Sequence, residues 1–284
     1  MGLTGRSCKK NILKYNMKKI AKKIQEYIAS NKGSYFVEKI FILSRIIELG
    51  YHNRNPNMKI NGETRLLFQL SKLKSNFNVV FDVGANVGEY SLFLQNILKP
   101  KKIFAFEPVP KIYDLLEINC QSYKNIFIKN IALNDNDKPI KFHYSPSASY
   151  LSSSVVSVFK KDVEEIFVSS VSGDDFCKVN MIEKIDFLKI DTEGNDFNVL
   201  KGFDKILSKG NIRIIQFEYG PFSIYSKNLL KDHFDLLVSK GYIVGKIYPN
   251  YVHFMDYSSN NENFILSNFV AIKKEDDELL QLLK

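Results

Sequence analysis

The chain has 284 residues, 45% hydrophobic and 25% charged, enough apolar material for a full core in one main globular domain with an appendage. Its net charge of +9 is uneven: residues 1–60 hold 13 Lys and Arg against 3 Asp and Glu, so the remaining chain is near neutral and lacks the basic groove a nucleic-acid enzyme uses against phosphates. No run of about 18 uncharged apolar residues is present to span a bilayer, and Cys8, Cys120 and Cys177, odd in number and without a CxxC pair, offer neither a disulfide framework nor a zinc site.

The opening MGLTGRSCKK lacks the apolar core of a secretion signal, which with the cysteine usage sets the expectation of a cytoplasmic protein. Leu13, Met17, Ile20, Ile24, Tyr27 and Ile28 then recur at helical spacing, with Lys14, Lys18, Lys19, Lys22 and Lys23 on the opposite face. A basic amphipathic helix of this kind either packs its stripe on the rest of the protein or docks on an anionic surface, such as the inner face of a membrane. Residues 36–49 read as a second helix ended by Gly50, residues 51–60 as a polar connection, and residues 62–73 as a helix leading into the first strand. The expected division is therefore a basic helical extension over 1–60 and an α/β domain over 61–284.

Phe77, Val79, Val80, Phe81 and Val83 form the apolar run of a buried parallel strand, and Gly84 and Gly88 bracket the turn after it, where backbone must approach a ligand closely. A helix over 90–98 and a strand over 103–106 follow. That strand ends in Glu107, nineteen residues after Gly88, the place from which an acid accepts both ribose hydroxyls of an adenosine-containing cofactor. The turn reads Gly84, Ala85, Asn86, Val87, Gly88, without the third small residue of a dinucleotide fingerprint and without a phosphate-loop lysine.

Further along, residues 111–120 are helical, 126–133 a strand and 140–144 extended, as in a doubly wound fold. SPSASYLSSSV at 145–155 has no period of its own; it reads as a hydroxyl-rich loop suited to a polyhydroxylated ligand. Residues 167–171 are extended, 173–176 turn, and 185–190 form a buried strand ending in Asp191, Thr192, Glu193 and Gly194. A helix over 196–207, a strand over 212–217 ending in Glu218, a helix over 229–239 and a terminal antiparallel hairpin of 242–247 with 264–272 complete the pattern. Asp82, Glu107, Asp191, Glu193 and Glu218 thus all stand at the carboxyl ends of strands, where open α/β sheets bind ligands. Asp191, Thr192 and Asp196 also suit a helix entry as caps, and His143 is a further candidate base; His52 and His233 receive no role.

Laid out in this way, FDVGANVGEYS at 81–91, FEPVP at 106–110, NIALND at 130–135 and DFLKIDTEGND at 186–196 with VLKG at 199–202 resemble, in order and spacing, the FkbM family of S-adenosylmethionine-dependent methyltransferases. The resemblance covers about residues 62–220 and leaves the N-terminal arm outside. It implies a Rossmann-like, seven-stranded, mostly parallel sheet of the class I methyltransferase type and a bound S-adenosylmethionine. By it, Asp82 meets the cofactor's ammonium, Gly84, Ala85, Asn86 and Gly88 form the turn beneath it, Glu107 holds the ribose, and Pro108, Asn130 and Ala132 fall in the neighbouring matched blocks. It also implies methylation of a hydroxyl oxygen, most often of a sugar in a glycan or glycolipid precursor, with a non-sugar, polyketide-type hydroxyl as the alternative. A sugar hydroxyl needs a base or an acidifying metal; Asp191 is the first candidate base and Glu193 the second, and no metal is expected, although a divalent ion shared by these two acids would serve. A non-catalytic binding protein that keeps the cofactor fold is the rival from another class, and no nucleic-acid partner is expected.

Overall fold

The computed structural model describes residues 4–144, 152–153 and 164–284. The chain divides into two compact units, Met1–His52 and Asn53–Lys284. The first contains helix α1 (Thr4–Ser30) and helix α2 (Tyr35–Tyr51), with Gly33 at a φ of +89° in the turn between them. Met17, Ile20, Ile24 and Tyr27 of α1 are exposed, as are Phe36, Phe41, Ile46 and Ile47 of α2.

The second unit begins with α3 (Glu63–Leu70), β1 (Val79–Val83), α4 (Glu89–Ile97), β2 (Lys102–Phe106), α5 (Pro110–Cys120) and β3 (Ile126–Lys129). Short strands β4 (Ala132–Asn134), β5 (Ile140–Tyr144), β6 (Ser152–Ser153), β7 (Glu164–Val168) and β8 (Ser170–Ser172) follow, then α6 (Gly173–Val179) and β9 (Ile185–Ile190). The chain closes with α7 (Asp196–Gly202), α8 (Asp204–Ser208), β10 (Ile212–Tyr219), α9 (Phe222–Ser226), α10 (Leu230–Ser239), β11 (Tyr242–Ile247), β12 (Val252–Phe254), β13 (Ser267–Lys273) and α11 (Asp277–Leu283).

Eight of the described strands form one sheet in the order β12-β11-β13-β10-β9-β1-β2-β3. From β10 to β3 all neighbours are parallel, while β13 runs antiparallel to both β10 and β11. This is the Rossmann-like sheet expected, with β12 added as an eighth strand on the edge. The central strands are apolar on both faces because helices cover both. Phe81, Phe106, Phe176, Phe203 and Phe217 fill one side, and Leu66, Leu67, Leu94, Leu116, Phe187 and Ile214 the other. Burying a Leu or Phe side chain stabilises the fold by about 1.5–3 kcal/mol, so these two layers hold the sheet's carboxyl edge in place.

Four local readings change. The single strand expected over 126–133 divides at Asn130, whose amide donates to the carbonyls of Glu107 and Pro108 and turns the chain, so that β4 leaves the main sheet to pair with β8. Residues 173–176 start a helix, not a turn, because the Ser172 hydroxyl caps it by accepting the Asp175 N–H. The helix expected over 196–207 breaks at the buried Phe203 and restarts where the Asp174 carboxylate accepts the N–H groups of Lys205 and Ile206. The terminal pair β11 and β13 is antiparallel as expected, but the connection is long enough to include β12 and a turn of 3₁₀ helix. Of the hydroxyl-rich loop, residues 145–151 and 154–155 lie outside the described residues, while Ser152–Ser153 pair with β5.

Candidate active site

The first turn after β1 is fixed by how closely two strand ends approach. Gly84 has a φ of +82°, and a Cβ there would lie 1.8 Å from the carbonyl oxygen of Asp191 at the end of β9. Only glycine allows that contact. Asn86 continues the turn at a φ of +50°, and its N–H donates to Glu107 Oε2 at 3.0 Å. Glu107 Oε1 accepts the Val109 N–H at 2.9 Å, so the acid is aimed by backbone from two sides. It is buried, and burial pushes its carboxyl up to about 7 against the pull of those two donors.

Glu107, Gly84, Asn86, Pro108, Ala132, Asp191 and Glu193 line one cleft with Ile131, Leu133, Phe142, Thr192 and Asn195. Its cavity volume is about 110 Å³, and it opens to solvent. Seven of the expected site residues therefore meet in one space. Four do not line it. Asp82 is buried behind the turn, where Ser91 Oγ donates to its carboxylate at 2.6 Å. Ala85 packs into the core, and Asn130 braces the 107–108 backbone from an exposed position. Gly88 serves helix packing, since a Cβ there would meet Leu116 Cδ1 at 2.7 Å. His143, the further candidate base, also stands elsewhere: it is buried on β5, one residue from Phe142 and hence on the opposite strand face, with Nδ1 3.8 Å from Glu165.

A row of polar side chains crosses the sheet beneath the cleft. Asp82 on β1 is in register with Lys189 on β9, and Lys189 with Gln216 on β10. Lys189 is 1% exposed, with Nζ 2.8 Å from Asp191 Oδ2 and 5.0 Å from the centre of the Tyr90 ring. Burial opposes its charge, but Asp191 and Glu63 outweigh that and keep the ammonium above its usual range. Gln216 accepts from the Tyr90 hydroxyl at 2.6 Å and donates to Glu63 Oε2 at 2.6 Å, while Asn61 and Asn268 donate to Glu63 Oε1. The sequence reading missed this row. Its signal was present in FLKID and IIQFE, where a charged or amide residue interrupts strands otherwise apolar on both faces.

After β9 the chain turns through Glu193 at a φ of +52° and Gly194 at +105°. A left-handed backbone at a non-glycine residue costs about 1–2 kcal/mol and persists where the surroundings over-determine it. Asp196 supplies that restraint: Oδ2 accepts from the N–H of Thr192 and of Gly194 and from the Thr192 hydroxyl, and Oδ1 accepts the Glu218 N–H. Asp196 is the first residue of α7, and its carboxylate braces the preceding turn and the end of β10. The position before the helix is Asn195, which makes no side-chain cap hydrogen bond, so the capping expected of Asp196 is not what is found. Carboxylate oxygens of Asp191, Glu193 and Glu218 lie within 4.8 Å of one another. Burial, then Asp191 and Asp196, push Glu193 up to about 8. Glu218 is raised well above the usual carboxyl range by burial, then by Asp191 and Glu193.

A parallel sheet in this strand order, with a glycine turn after β1 and acids at the ends of β2 and β9, has the architecture of a class I methyltransferase. The family model for the methyltransferase FkbM domain matches residues 82–244, more than half of the chain, and the protein belongs to that family. The hexuronic acid methyltransferase AglP of Haloferax volcanii is 26% identical over 163 residues, 57% of this chain and 64% of that protein. The methyltransferase sdnD of Sordaria araneosa is 28% identical over 179 residues, again covering 64% of its length. The 2-O-methyltransferase NoeI of Sinorhizobium fredii is 27% identical over 225 residues, 73% of this chain and 90% of that protein. The chain thus spans about two thirds of the first two relatives. The crystal structure of methyltransferase FkbM from Methylobacillus flagellatus KT superposes with a TM-score of 0.51 at 14% identity, covering 87% of this chain and 57% of that one, a likeness of fold.

Proposed function

We propose that the protein transfers a methyl group from S-adenosylmethionine to a sugar hydroxyl of a glycan or glycolipid precursor. The observation that carries this reading is the single cleft shared by Glu107 and the acids Asp191 and Glu193. A carboxylate has about four acceptor sites, and Asn86 and Val109 use one on each oxygen of Glu107, which leaves two for a pair of ribose hydroxyls. Pro108, Ile131, Leu133 and Phe142 offer the apolar walls an adenine ring needs. The anionic lining suits a cofactor that carries a sulfonium and an ammonium.

When bound, the cofactor supplies a methyl carbon on a good leaving group. The chain's own task is to hold the acceptor hydroxyl in line with that carbon and to receive its proton. Asp191 and Glu193 stand on the cleft wall for this task. The relatives named for hexuronic acid methylation and 2-O-methylation support a sugar hydroxyl as the acceptor. The basic arm supports a second element of the reading, peripheral attachment to an anionic membrane face where a lipid-linked acceptor would lie. Calorimetry tests the cofactor: micromolar binding of S-adenosylmethionine is expected, and binding of NAD without response to S-adenosylmethionine overturns the reading.

A further inference from the structure

We propose that the open cavity between residues 56–59 and helix α4 binds an uncharged sugar unit of the acceptor glycan, a unit other than the one that is methylated. This rests on the methyl-transfer reading above and adds a second place of contact for its acceptor.

The cavity holds about 500 Å³, within the ~300–1,000 Å³ of small-ligand sites, and shares no lining residue with the cofactor cleft. Glu89, Phe93 and Asn96, spaced four and three residues apart, present one face of α4 to it. Glu89 follows directly on the turn whose Gly84 and Asn86 line the cofactor cleft, so the two sites flank one short turn of chain. The opposite wall is fixed in advance. The Met58 carbonyl accepts both the N–H and the hydroxyl of Thr64, at 3.1 and 2.8 Å, and Asn57 Oδ1 accepts the Lys59 N–H at 3.0 Å. Asn53 Nδ2 ties the segment to the end of β11 by donating to the carbonyls of Asn61 and Ile247. A wall held in this way loses little further freedom when a ligand arrives. The lining itself selects the ligand. Met58 and Phe93 are half-buried and apolar, while Asn57, Lys59, Glu89 and Asn96 are exposed around them. Among the described residues, no hydrogen bond or ion pair engages the side chains of Lys59, Glu89 and Asn96 or the Nδ2 of Asn57. Lys59 and Asn57 Nδ2 can only donate, ionised Glu89 can only accept, and Asn96 does both. A wholly apolar ligand would cover these groups without giving them partners. An anion would meet Glu89 and a cation Lys59, and the two charges cancel. An uncharged sugar ring uses the whole lining: each hydroxyl donates one hydrogen bond and accepts two, and the C–H face packs on Phe93 and Met58.

The test is an NMR titration of the full-length protein carrying ¹³C at its methionine methyl groups, with the Met58 signal identified by its loss in Met58→Leu. The probes are maltose, lactose, cellobiose and N,N′-diacetylchitobiose, with glucuronate and glucosamine as charged controls. At least one neutral disaccharide is expected to shift the Met58 signal saturably, and the double variant Glu89→Ala/Asn96→Ala to weaken that binding about tenfold. A Met58 signal unmoved by every neutral sugar, moved only by the charged ones, or saturating equally in the double variant overturns the proposal. These outcomes do not depend on methyl transfer, so a wild type that methylates no glycan fraction is a separate failure, of the functional reading. With a fraction that is methylated, the double variant should raise KM about tenfold and leave kcat within about twofold, the mark of binding remote from the chemistry. An unchanged KM overturns the subsite.

Discussion

Glu107 shows how far a single residue can be read from sequence. Its position after β2 was legible from spacing alone, because an acid at a strand tip has few structural uses. What spacing does not give is its aim, which comes from the N–H groups of Asn86 and Val109. Hydrogen bonds to a charged acceptor are worth about 1.5–3 kcal/mol, so Glu107→Ala should weaken S-adenosylmethionine binding roughly 10- to 100-fold by calorimetry. Unchanged affinity would remove it from the site. Asp82 shows the limit: a buried acid behind the turn looks, in sequence, the same as one lining the cleft. The buried acids also predict a pH dependence. Glu107 and Glu193 are raised to about 7 and 8, Asp82 and Asp196 to about 6, all chiefly by burial. A raised carboxyl favours the folded state while protonated, so its contribution is present below about pH 4 and is lost as pH rises through the folded value. The unliganded protein should therefore lose stability between pH 5 and 8, with Glu107 alone accounting for about 3 kcal/mol as an upper bound. A denaturant midpoint that rises over that range would contradict the burial of these groups.

Among the elements, the central strands were readable because continuous apolar runs have few other homes. Two of the misread boundaries share a cause: each is set by one side chain reaching a distant backbone, Asn130 to the 107–108 carbonyls and Asp174 to the 205–206 amides. Neither partner is near in sequence, so no local pattern announces it. The turn after β9 follows the same rule through Asp196, which joins the 192–194 backbone to β10. Asp196→Ala should cost about 2–3 kcal/mol in chemical denaturation, since it strips several buried donors of their acceptor. A cost below about 0.5 kcal/mol would mean the turn stands without it. The short β12 and the terminal α11 went unread because three residues of strand and seven of helix are too few for periodicity to speak.

At the scale of the whole molecule, the charge map separates an arm of net +10 over residues 1–60 from a nearly neutral remainder. Lys18, Lys19, Lys22 and Lys23 are exposed alongside Met17, Ile20 and Ile24. Each basic residue near an anionic surface contributes about 1 kcal/mol, which gives peripheral attachment that salt releases. The full-length protein is expected to sediment with phosphatidylserine vesicles at low salt and to stay in solution with neutral ones. Equal binding to both, or no loss when residues 1–52 are deleted, would make the arm a packing element instead. The central claim is methyl transfer to a sugar hydroxyl, and the most direct measurement is the fate of the label. With methyl-labelled S-adenosylmethionine and a fractionated glycan extract, the label should appear in an O-methyl sugar after acid hydrolysis of the product. Label recovered only in non-sugar material, or bound cofactor with no transfer to any glycan fraction, would contradict it.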